Sequence, residues 1–439
     1  MASEPRPTQG VQQGPVPIDA GLVADCVHCG FCLPTCPTYL LWGEEMDSPR
    51  GRIYLMKQRI EGEPLDDAMV QHFDRCLGCM ACVTACPSGV QYDKLIEATR
   101  AHVEEERPRT PRERVLRGLV FHLFPYPRRL RAMRPLLRGY QRSGAARLVS
   151  RSRVLDRLPP TLGAMERLMP PVATERELVA DVTPAQGERR ARVGMLLGCV
   201  QREFFPGVNA ATVRVLTAEG CEVVAPATQG CCGALSRHSG RKREAMRFAK
   251  QTIGTFESLG VDAVVVNVAG CGSSMKDYDD LLADDPAWAA RAAAFSAKVR
   301  DVAELLAELG PVAPRHPLPI SAAYHDACHL SHAQGVRAQP RRLLAGIPGL
   351  ELREIAEADI CCGSAGVYNL FQPDAARALG DRKAGHVLDT GAEVLITANP
   401  GCLLQIQAAA QRAGRAIALA HTVQVLDASI RGVPLASAL

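Results

Sequence analysis

The first hundred residues carry hydrophobic side chains at helical spacing. Ile53, Met56 and Ile60 lie on one face of a segment that opens with the Ser-Pro pair at 48–49, a favourable helix start. A second stretch with the same periodicity covers residues 65–75. The pattern therefore predicts two short helices, separated by a break that contains Gly and Pro.

The pattern changes after residue 190. Short apolar runs at 192–197, 261–268 and 394–398 have the length of buried strands, and a helical pattern spans 243–259. Strands that alternate with helices are typical of α/β units. The predicted fold is α+β overall: a mainly helical N-terminal part is followed by two small α/β parts.

Composition narrows the class of protein. The chain has 439 residues, of which 47% are hydrophobic and 22% are charged, as in folded domains with sizeable cores. No apolar run is long enough to predict a membrane-spanning helix. Residues 1–20 contain no apolar signal segment and are expected to form a flexible polar tail. A cytoplasmic location is expected.

The net charge of +4 conceals a strongly basic segment. Residues 100–157 contain sixteen arginines, no lysine and five acidic residues. Leu130, Met133 and Leu137 follow near-helical spacing among these arginines, and nearby prolines are expected to shorten any helix. Two interpretations stay open: an arm packed between domains, and a segment that rests peripherally on an anionic membrane.

Seventeen cysteines are many for a chain without a secretion signal, because cytosolic thiols stay reduced. Eight of them form two runs with the pattern C-x2-C-x2-C-x3-C-P. The runs contain Cys26, Cys29, Cys32 and Cys36, then Cys76, Cys79, Cys82 and Cys86. This pattern is typical of proteins with two [4Fe–4S] clusters. Zinc sites with four thiolates instead favour two C-x2-C pairs.

In bacterial two-cluster proteins the fourth cysteine of each run serves the other cluster. The proline that follows it favours an extended backbone, which helps its thiolate point away from its own run. One cluster is therefore expected at Cys26, Cys29, Cys32 and Cys86. The other is expected at Cys76, Cys79, Cys82 and Cys36.

Eight further cysteines reveal an internal repeat, since their spacings agree within one position. The two sets are Cys199, Cys231, Cys232 and Cys271, then Cys328, Cys361, Cys362 and Cys402. Each set is a candidate additional metal or cluster site, which His238, His325, His329 and His332 could tune or ligate. The alternative is a buried or disulfide-linked pair without a cofactor. Cys221 has no counterpart and is expected in the core.

The motifs also limit the chemistry of the chain. No G-x-G-x-x-G follows a predicted strand and no P-loop is present, so no flavin or NAD site is expected. Removal of a hydride from a 2-hydroxy acid needs such a cofactor. The chain is therefore expected to relay electrons one at a time and not to oxidise substrate alone. No DNA-reading motif is present, and no nucleic-acid partner is expected.

Several segments resemble the iron–sulfur subunit of glycolate oxidase (glycolate dehydrogenase), among them CVHCGFCLPTCPTY, DRCLGCMACVTACPSGVQY, GCCGALSRHSG and CCGSAGVYNL. The resemblance implies FAD-containing partner subunits that oxidise glycolate to glyoxylate, and electron transfer towards a quinone-type acceptor. A place at the cytoplasmic face of the inner membrane would fit. The expected domains are a tail at 1–20, a two-cluster ferredoxin-type domain at 21–100, a basic helical connector at 101–190, and cysteine-rich (CCG) domains at 191–312 and 319–435.

Related CCG domains occur in heterodisulfide reductases, in lactate-utilisation proteins and in anaerobic glycerol-3-phosphate dehydrogenase. In the heterodisulfide reductase type each cluster-binding domain ends in C-x-x-C. Here Cys271 precedes Gly-Ser-Ser and Cys402 precedes Leu-Leu-Gln, so a catalytic noncubane cluster is not implied. A thiol/disulfide reductase subunit, or the equivalent subunit of a lactate or glycerol-3-phosphate dehydrogenase, is the alternative function.

Overall fold

The computed structural model describes residues 16–151, 160–172 and 177–439. Most of the expected polar tail lies outside these residues. The N-terminal part is helical, with α-helices at Ala20–Ala24, Pro37–Trp42, Pro49–Ile60, Asp67–Arg75, Ala81–Thr84 and Tyr92–Glu106, and a 3-10 turn at Glu45–Asp47. No strand occurs among the described residues before 182.

The two helices that the hydrophobic pattern predicts are confirmed. The Ser48 hydroxyl accepts a hydrogen bond from the Gly51 N–H at 3.0 Å, which caps the first of them. Asp66 caps the second helix in the same way, through the Met69 N–H at 2.8 Å. Their apolar faces pack around the fully buried side chains of Met56 and Phe73. This small core holds both cysteine runs in place.

The connector consists of helices at Pro111–Leu123, Pro127–Arg142, Ala145–Arg151 and Pro160–Arg167. Pro125 and Pro127 separate the first two of these helices, as expected, but the expectation is wrong for Pro135, which lies inside the second helix. Leu130 and Arg134 on the same helix are buried, and Arg134 donates to the Glu203 carbonyl. We attribute the continuity of the helix to this packing, which offsets the hydrogen bond that proline removes.

The first half of the repeat is built on a five-stranded sheet. Its strands are β1 (Val182–Thr183), β2 (Ala191–Met195), β3 (Cys221–Val224), β4 (Ala263–Val266) and β5 (Val299–Asp301), in the order β1-β3-β2-β4-β5. Only β1 runs antiparallel, and it lies inside the stretch 101–190 expected to be a helical connector. Two residues are too few to show a periodicity, so this strand left no signal in the sequence.

The helices of the first half cover that sheet. They span Val200–Phe204, Pro206–Ala218, Ala234–Arg237, Lys242–Glu257, Ala269–Lys276, Tyr278–Leu281, Ala289–Ser296 and Val302–Leu309. The helix Lys242–Glu257 confirms the prediction for 243–259, and it buries Ala249, Ile253 and Phe256. The predicted runs at 192–197 and 261–268 correspond to β2 and β4, which pair side by side.

The second half has a four-stranded parallel sheet. Its strands are β6 (Ser321–Tyr324), β7 (Glu351–Glu354), β8 (Val394–Thr397) and β9 (Ala418–His421), in the order β7-β6-β8-β9. Its helices span Cys328–Ser331, Ala338–Ala345, Tyr368–Phe371, Pro373–Asp389, Pro400–Arg412 and Thr422–Arg431, followed by a 3-10 turn at Leu435–Ser437. The third predicted run is confirmed as β8.

The two halves share one hydrophobic core. Val193 and Val215 from the first half belong to the same buried cluster as Tyr324 and Leu426 from the second. Arg214 reinforces the contact, since its guanidinium donates to both carboxylate oxygens of Asp427 at 2.8–3.1 Å. Among the described residues, no helix has the length and hydrophobicity required to cross a membrane.

Gly240 lies where the N-terminal part packs against the first half of the repeat. Gly240 has φ +80°, and a Cβ there would lie 2.2 Å from the Arg100 carbonyl oxygen. We expect Gly240→Ala to lower the free energy of unfolding by about 3 kcal/mol, through left-handed strain and overpacking. Gly254→Ala is the matched control, because a Cβ there would meet nothing within 4 Å. Chemical denaturation measures both variants, and equal stability would contradict the described contact.

Candidate functional site

The first cysteine set combines three members of the first run with the last member of the second. Cys26, Cys29, Cys32 and Cys86 line one small cavity, together with Arg50. Cys29 is exposed and the other three are half-buried. Val27 and Phe31 beside them are 68% and 66% exposed. This set therefore lies close to the protein surface.

The second cysteine set is buried. Cys36, Cys76, Cys79 and Cys82 line a neighbouring cavity and are each less than a tenth exposed. Cys82 lines both cavities, so the two sets lie next to one another. The structure thus brings together the two groups of four that the sequence predicts, while ligation by them stays a prediction.

Positive charge and hydrogen-bond donors surround the second set. The Gly78 N–H donates to the Cys76 Sγ at 3.3 Å and the Tyr92 hydroxyl lies 3.6 Å from the same atom. Burial alone would raise the pKa of the Cys76 thiol, but the guanidinium groups of Arg52 and Arg100 lower it below its usual value. Such surroundings stabilise thiolate sulfur and fit an anionic iron–sulfur group.

The third set contains the cysteines of the first half of the repeat. Cys199 and Cys271 lie at the carboxyl ends of β2 and β4, where helices begin. Cys231 and Cys232 occupy the loop before Gly233, whose φ of +84° turns the chain into the next helix. The thiols form a chain of hydrogen-bonding contacts from Cys199 through Cys231 and Cys232 to Cys271. Four converging thiols are a suitable donor set for a soft metal.

The fourth set repeats this arrangement in the second half. The Sγ atoms of Cys328 and Cys361 lie 3.9 Å apart, and contacts continue through Cys362 to Cys402. The candidate ligand atoms of His325, Cys362 and Cys402 all lie within 4.8 Å of one another. His325 therefore joins this set, whereas Leu196 occupies the matching position of the first half.

All seventeen cysteines lie in the described residues and are free thiols. Cys221 is fully buried in the shared core, as expected, and burial raises the pKa of its thiol to about 11. The disulfide-linked alternative for the vicinal pairs is therefore not present in this structure. A thiol that burial keeps protonated becomes a ligand only when a metal displaces its proton.

The second and fourth sets meet at a buried interface. Cys79 belongs to one hydrophobic cluster with Cys328 and Cys361. Beside it, the Thr84 hydroxyl and the His332 Nδ1 lie 2.7 Å apart. The cysteine sets thus form a connected series, from exposed Cys29 through the buried second set to the second half of the repeat.

The other two histidines lie at a different boundary. The rings of His238 and His329 are 4.9 Å apart, between the two halves. The His238 Nδ1 lies 3.0 Å from a Glu97 carboxylate oxygen. Burial tends to raise the pKa of Glu97, but Arg237 and His238 lower it to about 2, so the carboxylate accepts this hydrogen bond from the ring.

Comparison with known proteins identifies the family. The probable glycolate oxidase iron–sulfur subunit of Bacillus subtilis (strain 168) is 40% identical over 432 residues, which cover 96% of this chain and 94% of that protein. The chain belongs to the family of glycolate oxidase iron–sulfur subunits. The glycolate oxidase iron–sulfur subunit of Escherichia coli (strain K12) is 34% identical and covers 96% of this chain and 98% of that protein.

Family profiles account for most of the chain. A 4Fe-4S dicluster domain matches residues 22–90, and the linker region of glycolate oxidase iron–sulfur subunits matches 112–169. A cysteine-rich domain matches twice, at 193–276 and 322–407, which confirms the internal repeat. The chain is thus an oxidoreductase subunit of the iron–sulfur class.

A second group of relatives is shorter. Lactate utilization protein A of Exiguobacterium sp. (strain ATCC BAA-1283 / AT1b) is 34% identical over 240 residues, which cover 54% of this chain and 98% of that protein. The name of this relative refers to a different 2-hydroxy acid, lactate.

Proposed function

We propose that the chain relays electrons from FAD-containing partner subunits, which oxidise glycolate to glyoxylate, towards a quinone-type acceptor. The observation that carries the proposal is the connected series of cysteine sets. It begins at exposed Cys29, passes through the buried set around Cys79 and continues to Cys361 in the second half. Such a series suits the entry of electrons at the surface near Cys29 and their exit at the second half of the repeat.

In this proposal Cys26, Cys29, Cys32 and Cys86 hold one [4Fe–4S] cluster, and Cys76, Cys79, Cys82 and Cys36 hold the other. The shared cavities and the donors around Cys76 support this assignment. Each group, when bound, exchanges single electrons. The chain's own residues fix the thiolates, supply N–H donors to sulfur, and offset negative charge through Arg52 and Arg100.

The repeat cysteines are proposed as additional metal or cluster sites. The thiols in each half converge without a fifth cysteine, and His325 offers a nitrogen only in the second half. These donor sets fit a soft metal ion. The domain division at 21–100, 101–190, 191–312 and 319–435 also stays a proposal.

The connector is proposed to serve both of its expected roles. Arg131 and Arg134 pair with buried Glu203, so part of the basic charge fastens the connector to the first half. Three apolar side chains on the connector helices Pro111–Leu123 and Pro127–Arg142 are 52–74% exposed, namely Val115, Leu119 and Leu136. Exposed apolar residues among arginines suit peripheral contact with the cytoplasmic face of an anionic membrane.

A second candidate substrate for the complex is lactate. The names of the shorter relatives favour it, because those proteins are 34% identical to this chain over about half of its length. The full-length relatives, which cover over 90% of this chain, favour glycolate. The relay role of the chain is the same with either substrate.

Iron analysis tests the cofactor proposal. Anaerobically purified chain should contain about eight irons, since two four-iron clusters are expected. A clear excess of iron would assign a cluster to the repeat cysteines as well, and Cys232→Ser should then remove only that excess. Tightly bound zinc without iron would contradict the proposal.

A further inference from the structure

An apolar cavity of about 530 Å³ lies between the connector and the two halves of the repeat. Its size is that of sites that bind small organic molecules. The connector supplies an apolar wall that includes Leu123, Phe124, Leu130, Met133, Leu137 and Leu168. The repeat cysteines could hold a metal at one side of the cavity, but the apolar wall supplies no ligand atoms. The space against that wall therefore suits an organic molecule with a large apolar surface.

Seven of the eight repeat cysteines line the same cavity, all except Cys362. Two of them, Cys328 and Cys361, belong to the buried cluster that contains Cys79. The cavity therefore adjoins the series of cysteine sets at the end opposite to exposed Cys29. An electron acceptor bound here would lie beside the exit of the proposed relay.

The cavity lining also includes buried polar groups that have no hydrogen-bond partner among the described residues. Gln201 lines it and is only 2% exposed, yet its amide oxygen and nitrogen have no hydrogen-bond partner among the described residues. The Nε2 atom of His238 is also buried and has no partner among them. Buried polar atoms of this kind destabilise a protein unless a ligand or water satisfies them.

We propose that this cavity binds the acceptor, an isoprenoid quinone, with one carbonyl oxygen facing the Gln201 amide, the other oxygen near the His238 Nε2, and its apolar tail against the connector. Because the His238 Nδ1–H is donated to Glu97, the Nε2 of the neutral ring is an acceptor, which suits the hydroxyl of the reduced quinol. The inference rests on the proposed function. A quinone combines a flat ring that carries two carbonyl acceptors with a long apolar tail, which matches the lining. Its reduction takes two electrons and two protons, and converts both carbonyls to hydroxyls. The electrons come from glycolate through the partner flavoprotein, and the protons come from water.

A matched pair of variants tests the cavity. Leu137 lines it, whereas Leu136 on the same helix is 72% exposed and does not. In the complex with its flavoprotein partners, Leu137→Trp should raise the Kd of a short-tailed ubiquinone analogue at least tenfold, measured by calorimetry. Leu136→Trp should leave it unchanged. A photoreactive azidoquinone should label the helix Pro127–Arg142 or the segment around Gln201, and Leu137→Trp should prevent this labelling.

Gln201→Met provides a second test that does not depend on tolerating a larger side chain. It removes two unpartnered polar atoms, so it should raise Tm while it weakens binding of the same analogue severalfold. A role in folding alone would leave binding unaffected. Unchanged binding in both Leu137→Trp and Gln201→Met, or labelling of a distant segment, would overturn the inference.

The failure of this inference and the failure of the proposed function are distinguishable. Reduction of the chain by flavoprotein and glycolate is followed separately from quinone binding. If that reduction proceeds but Leu137→Trp and Gln201→Met leave binding of the quinone analogue unchanged, the location of the acceptor is wrong and the relay stands. If the chain is not reduced, the relay itself is wrong.

Discussion

Replacing Cys79 by Ser should abolish electron transfer from glycolate to a quinone-type acceptor, while glycolate still reduces the flavin of the partner. Cys79 belongs to the buried second set and packs against Cys328 and Cys361. Loss of its thiolate should destabilise the cluster at the point where the N-terminal part meets the repeat. In the proposed relay, substrate oxidation occurs at the flavin of the partner, so only the onward step should fail.

The measurement compares flavin bleaching by glycolate with quinone reduction in the reconstituted complex. Cys221→Ser is the matched control, because it makes the same chemical change at a fully buried thiol in the shared core. It should lower stability modestly and leave electron transfer intact. Quinone reduction at an undiminished rate in Cys79→Ser would remove the second set from the relay.

Replacing Cys36 by Ser should damage the cluster at Cys76, Cys79 and Cys82, although Cys36 belongs to the other run. The structure places its sulfur in their cavity, within 3.2 Å of the Thr38 hydroxyl and away from solvent. A run-by-run assignment would predict damage to the cluster at Cys26, Cys29 and Cys32 instead. The prediction therefore separates the two ligation schemes.

Electron paramagnetic resonance of the reduced variants decides between them. Cys79→Ser and Cys29→Ser provide the reference spectra, since each belongs to one set in either scheme. The spectrum of Cys36→Ser should match that of Cys79→Ser, and the spectrum of Cys86→Ser should match that of Cys29→Ser. The opposite correspondence would refute the crossed assignment.

The sequence predicted those parts of the molecule that depend on local pattern. Helix starts such as Ser48, strands such as β4 and β8, and the convergence of four cysteines in each half all follow from spacing and periodicity. The two cysteine runs also predict cluster binding from the sequence alone, because four thiolates at this short, fixed spacing are typical of iron–sulfur ligands.

The contacts between distant segments could not be predicted in this way. Asp47 is fully buried and binds Arg52, His72 and Arg75, yet nothing in its local sequence marks it. Gln201 likewise lies in a short helix after Cys199. Its amide has no hydrogen-bond partner in the part of the chain that the structure describes, and this matters only because the connector closes the cavity around it. The continuity of the helix around Pro135 also depends on tertiary packing.

Electrons are proposed to enter this chain from a flavoprotein and not directly from substrate. The most direct test mixes the anaerobic, oxidised chain with glycolate, first alone and then with its FAD-containing partners, and follows the visible absorbance of the clusters. We expect no change in the chain alone and rapid bleaching when the partners are present. Bleaching by glycolate in the chain alone, or none with partners whose flavin is reduced, would contradict this proposal.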